Sequence, residues 1–341
     1  MDRTSGIYNA LRGLAVRAGL DGFVLALLGS IALAALWPGP GVQTGPFSLR
    51  ELANYGVSAI FFFYGLRLDP EKLRHGLSNW KLHLLVQSAT FLLFPAIMLL
   101  FMKAFGGGEG ELLWLGAFYL AALPSTVSSS VVMVSIAGGN IAAAIFNASI
   151  SSLIGVFLTP FWMGLFIAAS SGELDLAVVI LKLIVQVLVP VVAGILLHRW
   201  GGKFAERHKA NLRRFDQTVI LLIVYTSFCD SFARNLFDGQ SIPDLILLSC
   251  SMMALFFLVY LVIALLTRLL GFSREDRITA LFCGSKKSLV HGTVMSKVLF
   301  AGNPAAGIIL LPLMIYHALQ LVAASVLAQS MARSAGSSRS H

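Results

Sequence analysis

The stretch "FCGSKKSLVHG" sets two adjacent lysines, Lys286 and Lys287, halfway along an otherwise apolar run, with Ser285, Ser288 and His291 around them. A protonated lysine has three donors and no acceptor. In the middle of a membrane span it costs roughly 2.5–3.5 kcal/mol on insertion scales, so it faces the protein interior or a water-filled cavity. Three kinds of chemistry stay open. An ammonium can serve as a fixed cation, held by Ser129, Ser130, Asn147 and unwound carbonyls; a lysine can take up and release a proton; or it can bind an anion. Adjacent helical residues lie about 100° apart, so the two need not share a role. Snorkelling to an interface is disfavoured, because the eight residues Ile278 to Ser285 rise only about 12 Å.

A second polar cluster, "LPSTVSSSV", carries Thr126, Ser128, Ser129 and Ser130, and Gln87, Thr90 and Asn147 are further donors and acceptors inside apolar runs. Asp230 in "SFCDSF" has two readings: an ion pair with Arg234 four residues on, or a wall position that binds a cation or closes an outer gate. Lys182 reads as a snorkelling side chain, Asn140 and Asn303 as helix caps, and His83, His291 and His317 as polar contacts between helices. Cys229, Cys250 and Cys283 have no CxxC spacing and read as packing residues, and no HxxxH or HExxH pair suggests a metal site. No resident cofactor is expected, with sodium or a proton left as the coupling ion. Ser285, Lys286, Ser288 and His291 would also suit an intramembrane hydrolase, but GxSxG is absent and no orienting group can be named, so no enzyme activity is expected.

The elements that must position these groups are membrane helices. Of the 341 residues 57% are hydrophobic and only 12% charged, and the mean hydropathy is +0.83. Apolar runs near the length needed to cross a bilayer are expected at 21–37, 51–67, 82–102, 112–137, 140–168, 174–198, 216–233, 243–267, 278–298 and 303–330. The chain is therefore expected to be all-α with ten spans. A cleavable leader is not expected, since the first apolar run begins late and ends at "WPGPG". With both termini cytoplasmic, inside segments take 18 of the 25 Lys and Arg, while outside segments hold only Arg50, Lys103, Arg234 and Lys297. The excess of basic residues thus reads as a topology signal facing anionic lipid. A nucleic-acid partner is disfavoured, because the basic residues are dispersed and have no aromatic platform.

Two spans are interrupted, at Pro124 and near Gly284, and each leads to a glycine–asparagine pair that opens the next run: "AGGNIAAAIFN" and "AGNPAAGIILL". The halves 1–168 and 174–330 therefore read as repeats, with 331–341 as a cytoplasmic tail. Five spans per half make the repeats inverted. Paired interrupted spans at matching positions point to a solute site near the bilayer midplane, because freed backbone groups need partners that lipid lacks.

The stretches "KLHLLVQ", "VSSSV", "GGNIAAAIFN", "VYTSFCDSF", "KKSL", "KVLFAG" and "PLMIYH" resemble the bile acid:sodium symporter superfamily. The likeness is closest to the branch holding the vertebrate solute carrier family ten member seven proteins and their bacterial relatives. It runs from about residue 20 to 330. The resemblance implies a panel of spans one, two, six and seven, and a core of spans three to five and eight to ten with the fourth and ninth unwound at a crossing. It also implies alternating-access movement of a small organic anion or steroid-like solute in an inner, plasma membrane. In the sodium sites of that superfamily Ser129 matches a serine ligand and Ser130 stands for an asparagine. Thr90 stands for a glutamine, Ala144 and Ala148 replace hydroxyl ligands, the carboxylate near Phe282 or Cys283 is missing, and Lys286 replaces a glutamine. Sodium coupling is thereby put in doubt. A receptor or regulator of the calcium-homeostasis type is the other expectation from these relatives.

Overall fold

In lipid every backbone donor and acceptor must be satisfied within the chain, and helices do this segment by segment. The computed structural model describes residues 22–67, 79–105, 111–171, 181, 184–238 and 241–337, and among them every regular element is helical. Apart from the single turn Gly39–Val42 they are, in order, α1 (Gly22–Leu36), α2 (Leu49–Arg67), α3 (Trp80–Phe105), α4 (Glu111–Ala122), α5 (Ser128–Ala137), α6 (Ile141–Ser171), α7 (Ile184–Arg207), α8 (Lys209–Ala233), α9 (Ile242–Leu269), α10 (Arg274–Gly284), α11 (Leu289–Leu299) and α12 (Ala306–Ser337). Lys182 lies outside the described residues.

Among the described residues five helices, α3, α6, α7, α9 and α12, are long and apolar enough to cross a membrane. The protein is a multi-pass membrane protein. Leu28, Leu196, Leu261 and Leu265 are all more than half exposed, as a lipid-facing surface requires. Each of the two interrupted spans is a pair of half-helices, α4 with α5 and α10 with α11. The residues after the half-helix pairs are alike, though their spacing differs by one residue. Gly138 (φ 73°) and Gly302 (φ 77°) both adopt the left-handed conformation that a Cβ disfavours. The asparagines that follow accept from Ala143 N at 3.1 Å (Asn140) and from Ala305 N at 2.9 Å (Asn303). Asp276 ties the first of these turns to α10, taking Asn140 Nδ2 at 3.0 Å and Asn79 Nδ2 at 2.8 Å.

Helices α1, α2, α7 and α8 pack on one another, and α3 to α6 pack with α9 to α12. Small residues let α2 and α7 approach closely: a Cβ on Gly194 would stand 2.2 Å from the Phe62 carbonyl oxygen. The two groups meet chiefly where α8 lies along α11 and α12.

Candidate functional site

A helix that stops inside a membrane strands its last carbonyls. At the end of α4 each one finds a partner. The Ala121 and Leu123 oxygens accept from Lys287 Nζ at 2.7 and 2.8 Å. Ala122 accepts from Thr159 Oγ1 at 2.8 Å, and Pro124 from the Ser288 amide at 2.9 Å. Lys287 spends its third proton on the Thr90 carbonyl at 2.7 Å, on a wide π-helical turn of α3, and its nitrogen sits 4.1 Å from the centre of the Phe94 ring. One ammonium thus sits at the negative end of a half-helix dipole with all three donors used.

The corresponding end of α10 is closed by hydroxyls. Ser285 Oγ donates to Leu281 O at 2.6 Å, Ser130 Oγ to Phe282 O at 3.0 Å and Ser125 Oγ to Cys283 O at 2.6 Å. Tyr316 of α12 donates its hydroxyl to Ser285 O at 2.7 Å. Gln320, also on α12, pairs with both backbone groups of Lys287, accepting from its amide and donating to its carbonyl at 2.8 Å each. The two breaks are therefore bonded directly to each other and backed by α12.

The expected site residues divide. Thr126 hydrogen-bonds Ser129 at 2.7 Å and Ser130 at 2.9 Å, beside the crossing. Gln87 donates to the backbone and side chain of Asn147 at 3.2 and 3.3 Å. Lys286 is fully buried, and its Nζ has no hydrogen-bond partner. His291 pairs with Ser288 Oγ at 3.0 Å and faces α2, with Tyr64 edge-on at 5.5 Å between ring centroids.

Several expectations need correction. The ammonium at the crossing is held by carbonyls alone; Ser129, Ser130 and Asn147 bond elsewhere, because the half-helix end offers bare carbonyl acceptors that side-chain oxygens do not outcompete. Thr90 contributes its carbonyl, while its hydroxyl turns back to Val86 O at 2.8 Å. Ser128 is exposed at the start of α5 and joins no cluster. Asp230 pairs with Arg50 of α2, 180 residues away, instead of Arg234, since α8 ends alongside the start of α2. Cys250 is exposed, unlike Cys229 and Cys283. Of the four groups that would suit a hydrolase, Ser288 and His291 do pair at 3.0 Å, whereas Ser285 Oγ is bonded to Leu281 O and Lys286 Nζ to neither serine. Gln320, Tyr316, Ser125 and Thr159 were not expected at the site. Gln320 alone carried a signal, as an amide within an apolar run.

Residues 21–333 match the SBF-like CPA transporter family. The chain belongs to that family. It is 42% identical over 313 residues to an uncharacterized protein of Pseudomonas aeruginosa, covering 92% of this chain and 93% of the relative. It is 37% identical to the putative symporter YfeH of Escherichia coli (92% and 93%) and 34% identical to the sodium/bile acid cotransporter 7 of Mus musculus (91% and 92%). The chain is a transporter of this family and not an enzyme.

Proposed function

We propose that the protein moves a small organic anion or steroid-like acid by alternating access, without sodium, because Lys287 carries the positive charge at the crossing. The observation that carries this reading is the Lys287 ammonium on the carbonyls of Thr90, Ala121 and Leu123. A sodium ion would need several oxygen donors and gains from a carboxylate. Phe282 and Cys283 supply none, and an ammonium already neutralises the end of α4.

In this reading the chain has ten spans in two inverted repeats, 1–168 and 174–330, with both termini cytoplasmic in a plasma membrane. The matched glycine and asparagine turns after each half-helix pair support the repeats. Helices α1, α2, α7 and α8 form a panel, the rest form the core, and the solute passes along α2, α8 and α11. Names of relatives motivate the solute class: a bile-acid-like carboxylate or sulfonate is an amphipathic anion. One observation favours a proton as the coupling ion. Lys286 Nζ is buried without an acceptor, a suitable place for a proton taken and released as the crossing opens to water.

The test is uptake of taurocholate into proteoliposomes in sodium or potassium medium. Saturable uptake that is equal in the two media is expected. Uptake stimulated severalfold by sodium overturns the fixed-cation reading, and no uptake above empty liposomes overturns the solute class.

A further inference from the structure

Basic residues are rare outside by the charge distribution, and only Arg50, Lys103, Arg234 and Lys297 are expected there. Three of these four converge. Arg50 at the start of α2 and Arg234 just beyond α8 line a cavity of about 260 Å³, together with Thr44, Asp230, Gly302 and Pro304. Lys297 of α11, half-buried, donates to Thr226 Oγ1 on α8 at 2.9 Å and lies within electrostatic reach of Arg50, Asp230 and Glu51. The loop that closes the cavity is fastened to α8, where Ser231 Oγ donates to Pro304 O at 2.7 Å.

The charges in the cavity wall do not cancel. Asp230 is engaged by an Nη of Arg50, while Arg50 Nε is buried without a hydrogen-bond partner and Arg234 is exposed and makes no ion pair among the described residues. A planar guanidinium with free forked donors suits an oxyanion more than a neutral group. The cavity also lies where α8, α2 and the loop into α12 meet, and α2 and α8 are two of the helices along which the solute passes in the reading above.

We infer that this cavity is an entry subsite that receives the oxyanion head, carboxylate or sulfonate, of the transported solute, held chiefly by Arg234 and Arg50. The inference rests on the transporter reading for its ligand but not on sodium independence. Arg234 and Arg50 are specificity residues for anionic solutes, and neutral analogues gain nothing from them.

The experiment measures cholate binding to the full-length protein in neutral detergent at low salt, by shift in intrinsic fluorescence, with the uncharged methyl ester of cholate as the paired probe. The variants are Arg234→Glu, Arg234→Gln and Arg234→Lys, with Lys103→Gln as the outside cation remote from the cavity. Cholate Kd is expected to rise about tenfold in Arg234→Glu and about threefold in Arg234→Gln, to recover in Arg234→Lys, and to stay unchanged in Lys103→Gln. The ester is expected to be indifferent to all four. An unchanged cholate Kd in Arg234→Glu, an equal loss for the ester, or no cholate binding to the wild type overturns the inference. A parallel titration with phosphatidylglycerol and phosphatidylcholine nanodiscs separates the other source of an oxyanion. An Arg234 effect confined to phosphatidylglycerol assigns the cavity to lipid phosphate and overturns the solute assignment. Loss of taurocholate uptake with cholate binding intact counts against the transport reading and leaves the subsite standing.

Discussion

Replacing Lys287 by methionine keeps the volume of the side chain and removes its three protons, so the carbonyls of Thr90, Ala121 and Leu123, now bonded at 2.7, 2.7 and 2.8 Å, lose their partner together. Hydrogen bonds between membrane helices average about 0.6 kcal/mol each, which sets a floor of ~2 kcal/mol for the three. A buried acceptor left bare costs about 1 kcal/mol or more, which raises the expected loss to ~3 kcal/mol or above. Lys286→Met is the built-in comparison. It removes an equally buried ammonium that makes no hydrogen bond, so it is expected to be neutral or to stabilise by up to ~1 kcal/mol. The assay is reversible unfolding in mixed micelles by titration with sodium dodecyl sulfate, followed by far-ultraviolet circular dichroism. The reasoning fails if Lys286→Met costs as much as Lys287→Met, or if Lys287→Met costs less than ~0.5 kcal/mol.

Two other perturbations follow from the same bonds. Gln320→Leu deprives both backbone groups of Lys287 of their partner and is expected to cost ~2 kcal/mol, with faster hydrogen exchange at the Lys287 amide; unchanged exchange there argues against the pairing. Arg50→Asp and Asp230→Arg are each expected to destabilise, and the double exchange to recover about 1 kcal/mol of coupling in a double-mutant cycle, whereas additive losses argue against the ion pair.

The crossing illustrates how far a linear reading goes. Proline after a long apolar run, followed by threonine and serines, marked the first break, and two lysines inside a run marked the second; both breaks are present, at Leu123–Val127 and Ser285–Ser288. Which lysine closes a helix end was not legible. Lys286 and Lys287 have the same chemistry and the same neighbours in sequence, and only the direction of each side chain from the unwound turn separates a fully bonded ammonium from an unpartnered one. Asp230 shows the same divide: helical spacing nominated Arg234, while the antiparallel course of α2 and α8 delivered Arg50.

By itself, then, the sequence determined membrane residence, the helical class, the two interruptions and the family, because hydropathy, helix-breaking residues and motif order are properties of local stretches of chain. The tertiary structure decided the partners: Lys287 with carbonyls 164 to 197 residues away, Gln320 with the Lys287 backbone, and the three cations Arg50, Arg234 and Lys297 gathered near one cavity. Those choices depend on which stranded donors and acceptors meet once the helices pack. No spacing along the chain encodes that meeting, since each group can be satisfied in many ways locally and in only one when every carbonyl at a broken helix end must be paired.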